Sequence, residues 1–181
     1  GSGFIIKVSS DCKLGASGDY IISPPPLPPR DSNLPPTTTD ANFPKEIGDF
    51  TLKSKNANDK SDCGVLDGKN VCVQMARYEY VSSDNLAVHV LPIKISSGKE
   101  AYLNYVKNHS SEKDFGGVSG AYLVEINQLY WFTENKDYNA IGTQEYRYIP
   151  QPDGGHNTEK LNATTTNSVT RWFLKQYPPI K

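Results

Sequence analysis

Apolar positions in this chain alternate more often than they recur at helical spacing, and nearly all of the pattern lies after residue 42. The run Phe43-Pro44-Lys45-Glu46-Ile47-Gly48-Asp49-Phe50 reads as an opening turn leading into a strand over 50–54, and 53–62 is polar and loop-like. Asp67-Gly68 between apolar flanks predicts a two-residue hairpin turn. The strand that follows puts Val71, Val73 and Met75 on one face and Cys72, Ala76, Tyr78 and Tyr80 on the other. Ser82-Ser83-Asp84-Asn85 is a turn. The next strand, 86–95, is apolar on both faces, which predicts a central position. Pro92 removes one ladder bond and predicts an edge or a bulge near it.

Ser97-Gly98-Lys99-Glu100 has the form of a capping box. Ala101, Tyr102, Tyr105, Val106 and His109 follow at helical spacing, so a helix is predicted over 98–108. Gly116-Gly117 breaks the chain. Segments 121–126 and 129–133 predict an antiparallel pair around Asn127-Gln128, with further strand at 138–141 and 144–149 and a turn at 151–155. A last helix over 167–177 opens on an Asn or Ser cap, aligns Val169, Trp172, Phe173 and Tyr177, and stops at Pro178-Pro179. The predicted order is β-β-β-α-β-β-α. The fold class is α+β: a mostly antiparallel sheet with two helices on one face, preceded by an extended Pro-rich arm.

That arm changes the picture of the chain's organisation. Residues 24–36 hold seven of the 13 prolines, including Pro24, Pro25, Pro26, Pro28 and Pro29, with Arg30 beside them. Proline fixes φ and lacks a donor, so the run is expected to be extended. Residues 24–42 are read as a linker or stalk and 43–181 as a single α+β domain. Residues 1–23 form an N-terminal segment whose Gly1-Ser2-Gly3 start has the look of a tag scar. Its apolar stretch, Phe4-Ile5-Ile6-Lys7-Val8, has two open readings: the end of a membrane anchor, or a strand paired with Tyr20-Ile21-Ile22. Pro25–Pro28 and Pro26–Pro29 also match P-x-x-P, a ligand pattern for aromatic-lined grooves.

With 181 residues, there is room for one ordinary domain plus the arm. Lys+Arg is 19 against Asp+Glu 20, a near balance that argues against a nucleic-acid partner. No run approaches the roughly 20 apolar residues of a membrane helix.

The cysteines carry the sharpest expectation. If Asp67-Gly68 centres the turn, cross-strand partners have numbers that sum to 135, and Cys63 and Cys72 are such a pair. Counting outward from the turn makes theirs a non-hydrogen-bonded pair, the kind whose side chains come closest, so a Cys63–Cys72 disulfide is expected. Their spacing suits neither a metal site nor a C-x-x-C redox pair. A disulfide in turn implies an oxidising, extracytoplasmic location: periplasmic, cell-surface or secreted. Cys12 is left over, and Asn108 and Asn162 open glycosylation sequons that chance alone would supply.

Catalytic signatures are missing from the sequence. His89, His109 and His156 belong to no metal or catalytic motif, and the glycine-rich Phe115–Gly120 run precedes a strand rather than a helix. No catalytic, cofactor-binding or metal-binding residue is therefore assigned, and no enzyme activity is expected. The aromatics remain. Eleven tyrosines are interleaved with charge, and Tyr78, Tyr80, Tyr130, Tyr146, Arg147 and Tyr148 form the candidate interaction surface. The competing reading makes these rings core residues with polar tips.

Phe43-Pro44-x-Glu46-Ile47-Gly48-Asp49-Phe50, followed by an aromatic strand and Lys99-Glu100-Ala101-Tyr102, resembles bacterial extracytoplasmic accessory domains, including the exosortase-associated kind. The element order is similar to half of the fold of PsbP-like extrinsic photosystem proteins. No catalytic motif comes with either resemblance, and the chain is assigned to neither family. The leading expectation is a non-catalytic extracytoplasmic domain, tethered to a membrane through the proline-rich stalk, that binds or scaffolds another, membrane-associated protein. The alternatives are a small-ligand or glycan module with an aromatic cleft, and a hydrolase with a spatially assembled site.

Overall fold

A computed structural model describes residues 43–57 and 61–180. The N-terminal segment, the proline run and Cys12 lie outside the described residues. The strands are β1 (Glu46–Ile47), β2 (Phe50–Ala57), β3 (Asp62–Leu66), β4 (Lys69–Ser82) and β5 (Leu86–Ser97) before helix α1 (Lys99–His109). After it come β6 (Glu112–Lys113), a 3-10 turn (Phe115–Gly117), β7 (Ala121–Glu125), β8 (Gln128–Phe132), β9 (Ala140–Pro150), β10 (His156–Lys160) and helix α2 (Ser168–Gln176). All ten strands join one antiparallel sheet in the order β1-β2-β4-β5-β9-β8-β7-β6, with β3 added beside β4 and β10 beside β9. The class is α+β, but the simple β-β-β-α-β-β-α order understates the number of strands.

Register explains how the core is divided. Tyr80 pairs with Val88 and Val88 with Glu145; Tyr78 pairs with Val90 and Val90 with Thr143. Side chains of directly opposed residues share a face, so these rows line one side of the sheet. There Val169 and Phe173 on α2, with Tyr177 just past its end, close a core with Tyr78, Tyr80, Val88, Val90, Leu129, Trp131 and Ile141. The α2 start is set by Asn167, whose Oδ1 accepts from the Thr170 amide at 2.7 Å. Its end is tied down by the Trp131 indole, which donates to the Tyr177 carbonyl at 2.7 Å.

The alternate residues, Ile93 on β5 and Phe132 on β8, form a second core with Val106 of α1. The two helices therefore lie on opposite faces, not on one. Because α1 is centred toward the Ile93 end of β5 and α2 toward the Val88 end, each face keeps a half that no helix covers.

Several local expectations change. Ser97 remains in β5, so it cannot cap α1; the turn into the helix is made by Gly98 at φ 71. A Cβ at Gly98 would lie 2.4 Å from the Asn70 carbonyl oxygen. The predicted strands at 138–141 and 144–149 are one strand, β9, which runs through Gly142 because the Tyr130 ring lies where a Cβ would be, 2.5 Å from Tyr130 Cε1. β10 has no alternation to reveal it: all five residues are exposed, and it exists by pairing with β9. The β7–β8 turn is Ile126-Asn127, one residue earlier than expected. β5 is central, and Pro92 is accommodated where pairing with β4 skips Leu91 and Pro92.

Candidate functional site

The Asp67-Gly68 turn has the expected register: Cys63 pairs with Cys72, their Cα atoms 4.1 Å apart, and the two are joined by a disulfide. This hairpin projects from the end of the sheet, and Val65 on it is 64% exposed. Among the described residues no helix is long and apolar enough to cross a membrane. No group of three or more His, Cys, Asp or Glu side chains there could hold a metal ion.

The candidate aromatic surface divides among three environments. Tyr78 and Tyr80 are core residues, 2% and 0% exposed, and cannot present a surface. Phe43 stacks on Tyr78 at 3.7 Å, and the Tyr80 hydroxyl donates to the Pro44 carbonyl. Both rings face α2 because alternation on β4 sends them inward there. Tyr130 is half-buried against the α1 core and Gly142. Arg147 lies on the α2-side face, exposed, 3.8 Å from Glu159. Tyr146 and Tyr148 project from the other face, beyond the end of α1.

Around those two rings the structure assembles groups that the sequence reading passed over. Tyr148 donates its hydroxyl proton to Glu79 Oε1, and Ser54 donates to Glu79 Oε2 at 2.7 Å. A phenol has one proton to give, so the His89 Nε2 at 3.0 Å from the Tyr148 oxygen must be the donor there. The chain of bonds therefore fixes His89 as the Nε2–H tautomer when neutral. The His89 ring also rests against Tyr146 at 4.8 Å, and His156 stacks on Tyr148 at 4.1 Å. β2, β4, β5, β9 and β10 each contribute one or more members, so the cluster crosses the open half of the sheet.

Its electrostatics follow from burial and bonding. Burial alone would raise the Glu79 carboxyl, but the bonds from Tyr148 and Ser54, with Arg77 nearby, outweigh it and hold the group below its usual range. His89 is only 9% exposed. Burial, reinforced by Arg77 and opposed by Glu79, lowers its imidazole to about 4. Burial and the bond to Glu79 raise the Tyr148 phenol. At neutral pH the bonded trio therefore holds a carboxylate on Glu79, a neutral imidazole on His89 and a neutral phenol on Tyr148. A signal for it exists in the sequence: Glu79 between Tyr78 and Tyr80, and His89 between Val88 and Val90, are polar residues inside apolar runs of inner strands.

Elsewhere, a shallow cleft of about 350 Å³ is lined by 133–135, Gln176 and 178–180. No aromatic ring lines it. Asn108 and Asn162 are both exposed. No family model, no curated protein and no solved structure matches this chain.

Proposed function

We propose that the chain is a non-catalytic extracytoplasmic domain, carried on its proline-rich stalk at a membrane, that binds another protein through the half of the sheet beyond α1. The observation that carries this reading is the cross-strand cluster of Tyr146, Tyr148, His89, His156 and Glu79 on a sheet face that no helix covers. Tyrosine rings with polar tips beside the exposed Arg77 have the make-up of protein contact surfaces. Within this cluster Glu79, His89 and Tyr148 are each shifted away from neutrality, so none of these three is poised for general acid–base work at neutral pH. The Cys63–Cys72 disulfide supports an oxidising compartment.

The test is site-specific photo-crosslinking in the native host. A photoreactive residue replaces Tyr146 in one variant and Lys94 in another; Lys94 is exposed and lies on the opposite face. A discrete protein adduct from position 146 and none from 94 is expected. Equal adduct patterns from both positions, or none from 146, would overturn the reading.

A further inference from the structure

Glu145 stands apart from that surface, on the opposite face of β9. It is 7% exposed. Its Oε1 accepts from the Thr164 amide at 2.6 Å and from Asn167 Nδ2 at 2.8 Å. Asn167 in turn caps α2 through Thr170. One carboxyl thus ties down both the segment between β10 and α2 and the first turn of α2. The backbone repeats the attachment, with the Leu161 amide donating to the Glu145 carbonyl.

A carboxylate buried this far needs a cation or several strong donors, and no cation reaches it. Arg147, two residues on along the same face, is turned to Glu159. Arg171 on α2 donates to the Thr166 carbonyl. Lys160 on β10 is paired with Glu125 of β7. Tyr80 on β4, in the same cross-strand row, gives its proton to Pro44. His89 points to the other face.

The immediate neighbours are instead Asn127 and Thr143. The Asn127 carbonyl accepts from the Glu145 amide, and Thr143 lies two residues back on β9. Both are fully buried, and neither Asn127 Oδ1 and Nδ2 nor Thr143 Oγ1 has a partner among the described residues. A carboxylic acid suits this setting better than a carboxylate. Both incoming bonds end on Oε1, so a proton carried on Oε2 leaves them in place while removing the buried charge.

We propose that Glu145 is a proton-operated latch: protonated, it holds the segment at 161–167 and the start of α2 on β9, and on losing its proton it loosens them. The proposal is independent of the binding surface. Burial raises the carboxyl to about 7 against the bonds from Thr164 and Asn167, which lower it. In an opened segment the hydrated carboxyl returns to an ordinary value of about 4.5. The closed form therefore binds the proton more tightly, and raising pH through 7 shifts the balance toward opening.

The experiment is amide hydrogen exchange on the full chain at pH 5.5 and 8.5, corrected for intrinsic chemical rates, beside an NMR titration of the Glu145 carboxyl carbon. In the native protein, protection at Thr164 and Thr170 is expected to fall by about tenfold or more between the two pH values. In Glu145→Gln, whose amide mimics the acid, it should be the same at both. A carboxyl that titrates near 4.5, or protection independent of pH in the native protein, overturns the latch. The carboxyl titration decides the question even if the glutamine variant fails to fold.

Discussion

Tyr148 on β9 donates to Glu79 on β4, two strands away across β5, and the His89 ring of β5 bonds to the same phenol oxygen from between them. Three central strands are thereby cross-tied on the face that α1 leaves open. The arrangement holds a half-buried carboxylate with no ion pair at contact distance, using two hydroxyl donors instead. Hydrogen bonds to a charged group are worth more than neutral ones. The tie therefore stiffens the sheet and also fixes the positions of Tyr146 and Tyr148.

Tyr148→Phe removes the donor to Glu79 and the acceptor for His89 at once. A loss of about 2 kcal/mol in urea unfolding is expected, with the Glu79 carboxyl titrating higher than in the native protein. Tyr146→Phe removes only a 3.2 Å bond to Gln144, for which roughly 0.5 kcal/mol or less is expected. Equal losses from the two variants would mean that the Glu79 tie contributes nothing special.

His89 and Glu145 give the stability profile opposing slopes. His89 titrates near 4 in the fold and near 6.5 when unfolded, so the unfolded chain takes up the proton first and stability falls as pH drops from about 6.5 toward 4. Glu145 titrates near 7 in the fold, so the folded chain holds its proton more tightly and stability falls as pH rises from about 4.5 to 7. The two contributions oppose each other in the native protein between those limits. In Glu145→Gln the His89 slope remains there, joined toward pH 4.5 by the lowered Glu79 carboxyl acting in the same direction, and unfolding free energy should rise by about 1 kcal/mol or more from pH 4.5 to 6.5, after allowing for solvent screening. Urea titrations at three pH values measure it. A variant profile as flat as the native one would remove both assignments.

What the sequence made legible is the part governed by local rules. Asp67-Gly68 dictates a turn, the turn dictates register, and register alone pairs Cys63 with Cys72. Asn167 before an apolar stripe locates α2 for the same kind of reason. Alternation shows that a strand has two faces but not which helix covers which, so the placement of α1 and α2 on opposite sides was hidden. β10 was hidden because its residues pack against nothing and only its backbone is engaged. The Glu79–Tyr148–His89 cluster needed three strands brought into register, which no local spacing encodes. The tyrosine pattern marked Tyr146 and Tyr148 together with Tyr78 and Tyr80 and could not tell the buried pair from the other.

Gly98 carries the turn from β5 into α1 in place of the expected serine cap. Gly98→Ala meets two obstacles: a left-handed backbone at φ +71 and a Cβ 2.4 Å from the Asn70 carbonyl oxygen. Gly68→Ala meets only the first, since its φ is +76 but nothing lies within 4 Å. The left-handed penalty alone is about 1–2 kcal/mol, so Gly68→Ala should cost about that. Gly98→Ala should cost clearly more, because backbone must move. Thermal unfolding of the two variants compares them, and a Gly98→Ala protein as stable as Gly68→Ala would show that the β4–α1 approach is not tight.

The disulfide spans only eight intervening residues at the outer end of the sheet. In the chain-entropy view it is worth at most about 3 kcal/mol. Where that stabilisation acts is a separate matter. Among the described strands β3 pairs only with β4, and its first four residues are exposed. The inner strands beneath, β4 and β5, are held by both cores without it. Replacing both cysteines with serine should therefore release the hairpin rather than the fold. Amide exchange at Gly64, whose N–H lies in a hydrogen-bonded pair with Val71, is expected to accelerate by about tenfold or more, while the amides of Val88 and Val90 keep their native protection. If those core amides lost protection to the same degree, the hairpin would belong to the global folding unit, and the cross-link would be stapling the whole domain.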